Sequence, residues 1–182
     1  QTDYYWFDKI FSDEEIESIK KIANETTKIE AETFGKLGGE IRKSEVSWIP
    51  YNDDTAWIYG RITQCMKYAN DESFHFDWTG GTEQIQFTLY HSDEKGHYDY
   101  HIDTGSEEEG YTAHLRKISA VVMLNDDYEG GELEIWRKDL SHTYGKGNCI
   151  VFPSYLLHRV KPVTKGFRNS LVIWGIGDEP FK

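Results

Sequence analysis

Gln84-Ile85-Gln86-Phe87-Thr88-Leu89-Tyr90 alternates polar and apolar side chains without a break, and Gly96-His97-Tyr98-Asp99-Tyr100-His101-Ile102-Asp103 follows it after a short spacer. A period of two over such a run is the mark of a half-buried strand. In a strand, His101 and Asp103 point to one side and Ile102 to the other, so an imidazole and a carboxylate are aimed at a common point. Downstream, Leu115 to Asn125 is apolar and β-branched, Asp126 to Gly131 is a turn, and Glu132 to Trp136 is the returning strand. Asn148 to Pro153, Val160 to Val163, a turn at Thr164-Lys165-Gly166 and Arg168 to Trp174 close the set.

The chain ahead of these strands carries the helices. Trp6 to Phe11 reads as a short strand running into Ser12, which with Glu15 has capping-box spacing, and Asp13, Glu14 and Glu15 suit the positive end of a helix reaching about Asn24. Glu25 to Glu40, with Gly35, Gly38 and Gly39, loses all periodicity and is expected to be a loop long enough to serve as a lid. Arg42 to Pro50 alternates as a strand, and Asn52-Asp53-Asp54-Thr55 opens a second helix carrying Trp57, Ile58, Ile62 and Met66 to about Asn70. Helices first, then about eight short strands with evenly spaced turns, predict an α+β, mainly β fold: a double-stranded β-helix, the jelly roll found in cupins, with N-terminal helices packed on it.

The 182 residues are expected to form a single domain, with helical support over about 12–70 and the jelly-roll core over about 83–176. No apolar run reaches the roughly 20 residues that span a membrane. The first residues lack the basic and apolar regions of a signal peptide, so the expectation is a cytoplasmic, soluble protein without a membrane partner. Cys65 and Cys149 stand among apolar neighbours and are expected to be buried free thiols. Twenty Lys plus Arg against 32 Asp plus Glu give a formal charge of −12. Such a surface repels phosphate backbones and, with no basic run, argues against a nucleic-acid partner, while a basic or neutral polypeptide is an easier one.

The chemistry begins with the pair His101 and Asp103. A third ligand is available in His158, within Ile150 to Val160, and would complete the two-histidine, one-carboxylate set that holds a non-haem Fe(II) with open positions. Ten residues further on, Arg168 heads an apolar strand with a guanidinium suited to bidentate capture of a carboxylate, and Ser170 falls on the same strand face. His75, His91, His114 and His142 have no such partner spacing, and strict alternation turns Tyr98 and Tyr100 away from the His101 side.

The order H-x-D, a long β-rich stretch, His158, then Arg168 resembles the 2-oxoglutarate and Fe(II)-dependent oxygenases, in particular the prolyl 4-hydroxylase branch. Tyr90 followed by Gly96, Tyr98, His101 and Asp103 carries the likeness, with a longer spacer after Tyr90 than is usual, and so does Glu40 to Ile49. The resemblance covers about residues 30 to 176. It implies Fe(II) on His101, Asp103 and His158, and 2-oxoglutarate held by Arg168, Ser170 and Tyr90. O2 is the further cosubstrate, and ascorbate a reductant whose need the residues do not reveal. It also implies substrate contacts from Arg42, Trp48 and Trp174. One departure stands out: several prolyl hydroxylases carry at the position of Met123 a Tyr that bonds the far carboxylate.

The implied reaction is oxidative decarboxylation of 2-oxoglutarate to succinate and CO2, coupled to hydroxylation of a C–H bond, the iron carrying the bond-breaking. Retention of Asp103 favours hydroxylation over halogenation. The leading expectation is a monomeric peptidyl-proline 4-hydroxylase acting on a proline-containing polypeptide. The alternative is the same chemistry on a free amino acid, another small-molecule substrate or another protein side chain, since Lys161 to Gly166 also resembles bacterial PKHD-type hydroxylases. A non-oxygenase metal-binding cupin is the remote third reading, and Arg168 argues against it.

Overall fold

The computed structural model describes residues 3–25, 28–34, 40–105 and 111–182, with residues 28–34, 40–43 and 111 described by backbone alone. A short β1 (Tyr5–Phe7) leads to α1 (Asp13–Asn24). It ends sooner than the alternation to Phe11 predicts, because Lys9 takes a φ of 43° and turns the chain. The helix begins at a complete capping box: Ser12 Oγ accepts from the Glu15 N–H at 3.1 Å, and Glu15 Oε1 accepts from the Ser12 N–H at 2.9 Å.

The stretch after α1 corrects the sequence reading. Lys28–Phe34 is a strand, β2, paired antiparallel with β3 (Glu40–Ile49) from Lys28 opposite Ser47 to Phe34 opposite Glu40. Its charged residues alternate with Ile29, Ala31 and Thr33, a strand pattern that the surrounding Glu, Lys and Gly obscure. Gly35, Gly38 and Gly39, the heart of the expected lid, lie outside the described residues. After β3, Asn52 Oδ1 accepts from the N–H groups of Asp54 and Thr55 and turns the chain into α2 (Ala56–Ala69).

The remaining strands are β4 (Ile85–His91), β5 (His97–His101), β6 (Arg116–Met123), β7 (Glu129–Gly130), β8 (Leu133–Ile135), β9 (Cys149–Pro153), β10 (His158–Val160), β11 (Val163–Lys165) and β12 (Phe167–Ile176). The predicted strand Val160–Val163 is split at Pro162, which has no N–H to donate, and Val163–Lys165 pairs instead with β7. The predicted turn therefore narrows to Gly166, at φ 77°.

Every pairing is antiparallel, in the order β1-β9-β6-β12-β4-β3-β5-β10-β8. Strand β3 links two layers, because Glu45–Ile49 pairs with β4 while Arg42 and Lys43 pair with β5. The result is the expected double-stranded β-helix. Its larger sheet is covered outside by both helices, with Ile16, Ile19, Ile58, Ile62 and Met66 buried against Ile85, Ile118, Val122 and Ile173. A second apolar cluster, including Val121, Leu133, Ile135, Phe152 and Val160, lies inside the roll. Among the described residues no helix is long and apolar enough to cross a membrane, and Cys65 and Cys149 are free and buried.

Candidate active site

His101 ends β5 and His158 begins β10, and the two stand directly opposite each other across the antiparallel pair. Opposed cross-strand residues bring their side chains together, and the imidazole centroids are 4.2 Å apart. Asp103 lies just past the strand end, where its N–H donates to the Ser154 carbonyl at 2.9 Å. Its Oδ1 comes to 3.3 Å from both His101 Nε2 and His158 Nε2. The ligand atoms of all three residues fall within 4.8 Å of one another. The convergence expected from H-x-D is present, made by a strand end and a turn rather than by a continuous strand.

The histidines are oriented from behind. His101 Nδ1 lies 2.7 Å from the Asp99 carbonyl and His158 Nδ1 2.8 Å from that of Leu156. A carbonyl only accepts, so each Nδ1 carries the proton and each Nε2 is left to hold a proton or a metal ion. Burial alone would raise the Asp103 carboxyl, but the charge of His158 and hydrogen bonds from both imidazoles outweigh it and hold the group well below the usual carboxylate range. For His158 burial likewise opposes the charged form, and the Asp103 carboxylate overrides it and raises the imidazole. Two imidazole nitrogens and a carboxylate oxygen facing one point are a donor set that fits a divalent iron.

The same cavity, of about 320 Å³, contains the second predicted group. Arg168 on β12 stands opposite Tyr90 on β4, its guanidinium 5.6 Å from the Tyr90 ring centroid. Arg168 Nη1 donates to Ser170 Oγ at 3.1 Å. The side chain is 2% exposed, its Nε has no hydrogen-bond partner, and among the described residues no carboxylate pairs with it. A buried cation without a counter-ion is costly, so the site fits an anionic group from outside. Space for the side chain comes from Gly131, at φ 67°, where a Cβ would come 3.0 Å from Arg168 Cδ. Met123 is buried in the inner cluster and brings no hydroxyl.

Of the expected substrate contacts, Trp48 and Trp174 line the cavity, and the side chain of Arg42 lies outside the described residues. Trp174 also packs, with the Arg116 guanidinium 3.9 Å from its ring centroid. Three residues, Arg116, Ser119 and Ser154, escaped the sequence reading, and a fourth, Tyr98, needed a bulge to reach the cavity. Tyr98 lines the cavity and stacks on His101 at 3.5 Å, because β5 slips register against β10 between His101 and Tyr98 and brings both to one side. Tyr100 faces away as expected, hydrogen-bonded to Glu134 at 3.3 Å. Arg116 reaches the cavity past a register slip opposite Gly175 and Ile176, and it pairs with Glu83 while donating to the Asp103 carbonyl at 3.3 Å. Ser119 and Ser154 stand behind Asp103. Only Ser119 had a legible signal, its place on the same face of the apolar strand as Val121.

Residues 85–175 match the model of the 2OG-Fe(II) oxygenase superfamily. The chain belongs to that superfamily. Iron, 2-oxoglutarate and O2 are the reagents of that family. A PKHD-type hydroxylase of Gloeothece citriformis is 33% identical over 120 residues, covering 64% of this chain and 54% of the relative. One from Xylella fastidiosa is 40% identical over 96 residues, 44% of this chain and 40% of the relative. The chain thus spans about half the length of these curated relatives or less. In fold the domain is similar to a Pseudomonas putida prolyl-4-hydroxylase, with a TM-score of 0.68 at 19% identity over 96% of this chain and 92% of that one. It is also similar to a Trichoplax adhaerens prolyl hydroxylase in complex with a hypoxia-inducible-factor peptide fragment, at TM-score 0.70 and 14% identity over 97% and 84%.

Proposed function

We propose that this chain is a hydroxylase acting on proline within a polypeptide, with Fe(II) held by His101, Asp103 and His158. The far carboxylate of 2-oxoglutarate is held by Arg168, Ser170 and Tyr90. One observation carries the reading: a metal-competent triad and a buried guanidinium that no carboxylate among the described residues pairs with line one cavity. Bound there, the iron would activate O2, the oxidant for both the decarboxylation of the keto acid and the attack on a C–H bond. The chain's own contribution is placement. The Nδ1 bonds to Asp99 and Leu156 aim the imidazoles, the Arg168–Ser170 pair fixes one end of the cosubstrate, and Val121, Leu133, Val160 and Val172 keep that end of the cavity apolar. Trp48 and Trp174 offer flat apolar surfaces on which a pyrrolidine ring can lie. The charge of −12 suits a neutral or basic polypeptide. The helical segment and the jelly roll work as one domain.

A second reading rests on the sequence relatives. Those nearer in identity are named PKHD-type hydroxylases, whereas the prolyl hydroxylases are alike in fold at lower identity. That name specifies a hydroxylase and no prolyl substrate, and the second reading is the same chemistry on a small molecule or another side chain. The test is succinate release from 2-oxoglutarate under Fe(II) and O2, with and without a proline-containing peptide, in wild type, His101→Ala and Arg168→Ala. Peptide-stimulated release in wild type, with 4-hydroxyproline in the peptide and none of either in His101→Ala, is the expected result. Succinate without any peptide effect favours the second reading, and none under any condition overturns both.

A further inference from the structure

Ser119 and Ser154 are both fully buried, so their hydroxyls must find partners inside the protein. Ser119 Oγ donates to Asp103 Oδ2 at 2.6 Å, the length of a charge-assisted bond. The hydroxyl has one proton, and an ionised carboxylate has none to return. At the 2.9 Å contact between the two serines Ser119 is therefore the acceptor and Ser154 the donor. The chain of protons runs one way, from Ser154 to Ser119 to Asp103 Oδ2. Ser154 holds Asp103 a second time, its carbonyl accepting the Asp103 N–H at 2.9 Å. The other carboxylate oxygen, Oδ1, is the one that faces His101 and His158, at 3.3 Å from each Nε2.

We propose that Ser119, itself oriented by Ser154, is a positioning residue that keeps Asp103 a one-oxygen ligand. By occupying Oδ2 it stops the carboxylate from chelating, and so preserves a coordination position for the cosubstrate. This rests on the reading that His101, Asp103 and His158 bind a metal. Without the Ser119 hydroxyl, Oδ2 loses its only hydrogen-bond donor among the described residues and is free to turn toward the metal. Metal binding then survives, because a ligand atom is gained, while 2-oxoglutarate binding falls. A serine that merely supported the fold would weaken both together.

The experiment titrates the full chain with Co(II), whose visible absorption reports the number of ligands, and then titrates the Co(II)-loaded protein with 2-oxoglutarate. Ser119→Ala is expected to hold Co(II) as tightly as wild type or more so, with the spectrum of a higher ligand number. Its 2-oxoglutarate affinity is expected to drop about tenfold, in the range typical of groups that orient metal ligands. Ser119→Thr, which keeps the hydroxyl, restores wild-type values. Parallel loss of Co(II) and 2-oxoglutarate affinity in Ser119→Ala, or no change in either, overturns the inference. If Ser119→Ala does not fold, Ser154→Ala takes its place and shifts 2-oxoglutarate binding in the same direction by less, and an unchanged value there overturns it. A wild-type protein that binds no Co(II) refutes the metal reading itself, a result distinct from any of these.

Discussion

Strand β6 separates two interiors of opposite character. Ile118, Ala120, Val122 and Leu124 point out to the helices and join a cluster built from Phe11, Ile16, Ile19, Ile62 and Met66. Val121 and Met123 point inward, as does Ser119, to an interior shared with the buried Asp103, His158 and Arg168. The outer cluster contributes burial at about 25 cal/mol per Å² of apolar area, with no charge to desolvate. The inner one surrounds groups whose burial costs several kcal/mol each unless paired. The fold can hold Arg168, which no carboxylate among the described residues pairs with, inside the roll because its stability is supplied on the other side of the same strand.

That division can be broken by experiment. The largest expected effect is on the inner side: His158→Ala removes one of three converging ligands and is expected to weaken Co(II) binding by about a thousandfold or more, close to 4 kcal/mol. Its denaturation midpoint in the absence of metal should fall as well, because the buried Asp103 carboxylate loses one of the two imidazoles it faces. On the outer side Ile62→Ala is expected to cost about 3 kcal/mol in urea unfolding, from lost burial and the cavity left behind, while Co(II) affinity stays as in wild type. Loss of metal affinity in that variant would mean that the two interiors are not independent. Arg168→Met is expected to weaken 2-oxoglutarate binding about a hundredfold, near 2.7 kcal/mol, yet to leave unfolding stability equal or higher, since a charge that no carboxylate among the described residues pairs with is replaced by apolar surface. The smallest effect is at the helix start, where Ser12→Ala should cost about 1 kcal/mol by thermal unfolding with no change in either ligand affinity.

Legibility followed the range of the interaction. The capping box needs only Ser12 and Glu15, three residues apart, and was readable. Alternation located β4, and an apolar, β-branched run located β6, to within about two residues, the usual uncertainty of strand and helix ends. Strand β2 was missed although Ile29, Ala31 and Thr33 alternate, because polar strands form only where a neighbour supplies the hydrogen bonds, and here β3 does. Strict alternation puts Tyr98 on the face away from His101, so it reaches the cavity only through a bulge, and a rule of period two cannot say where a bulge falls. Pro162 was a breaker that should have split the strand predicted across it.

By itself the sequence determined the fold class, the order of ligand-type residues and the guanidinium that follows them, since these are written in residue identity and local period. The tertiary structure alone decided that His101 and His158 stand opposite each other on neighbouring strands, that Tyr98 shares the cavity, and that Ser119 and Ser154 stand behind Asp103. Each of those depends on strand register and on where register slips, and register is set by long-range pairing between segments tens of residues apart. No local run of sequence carries that information.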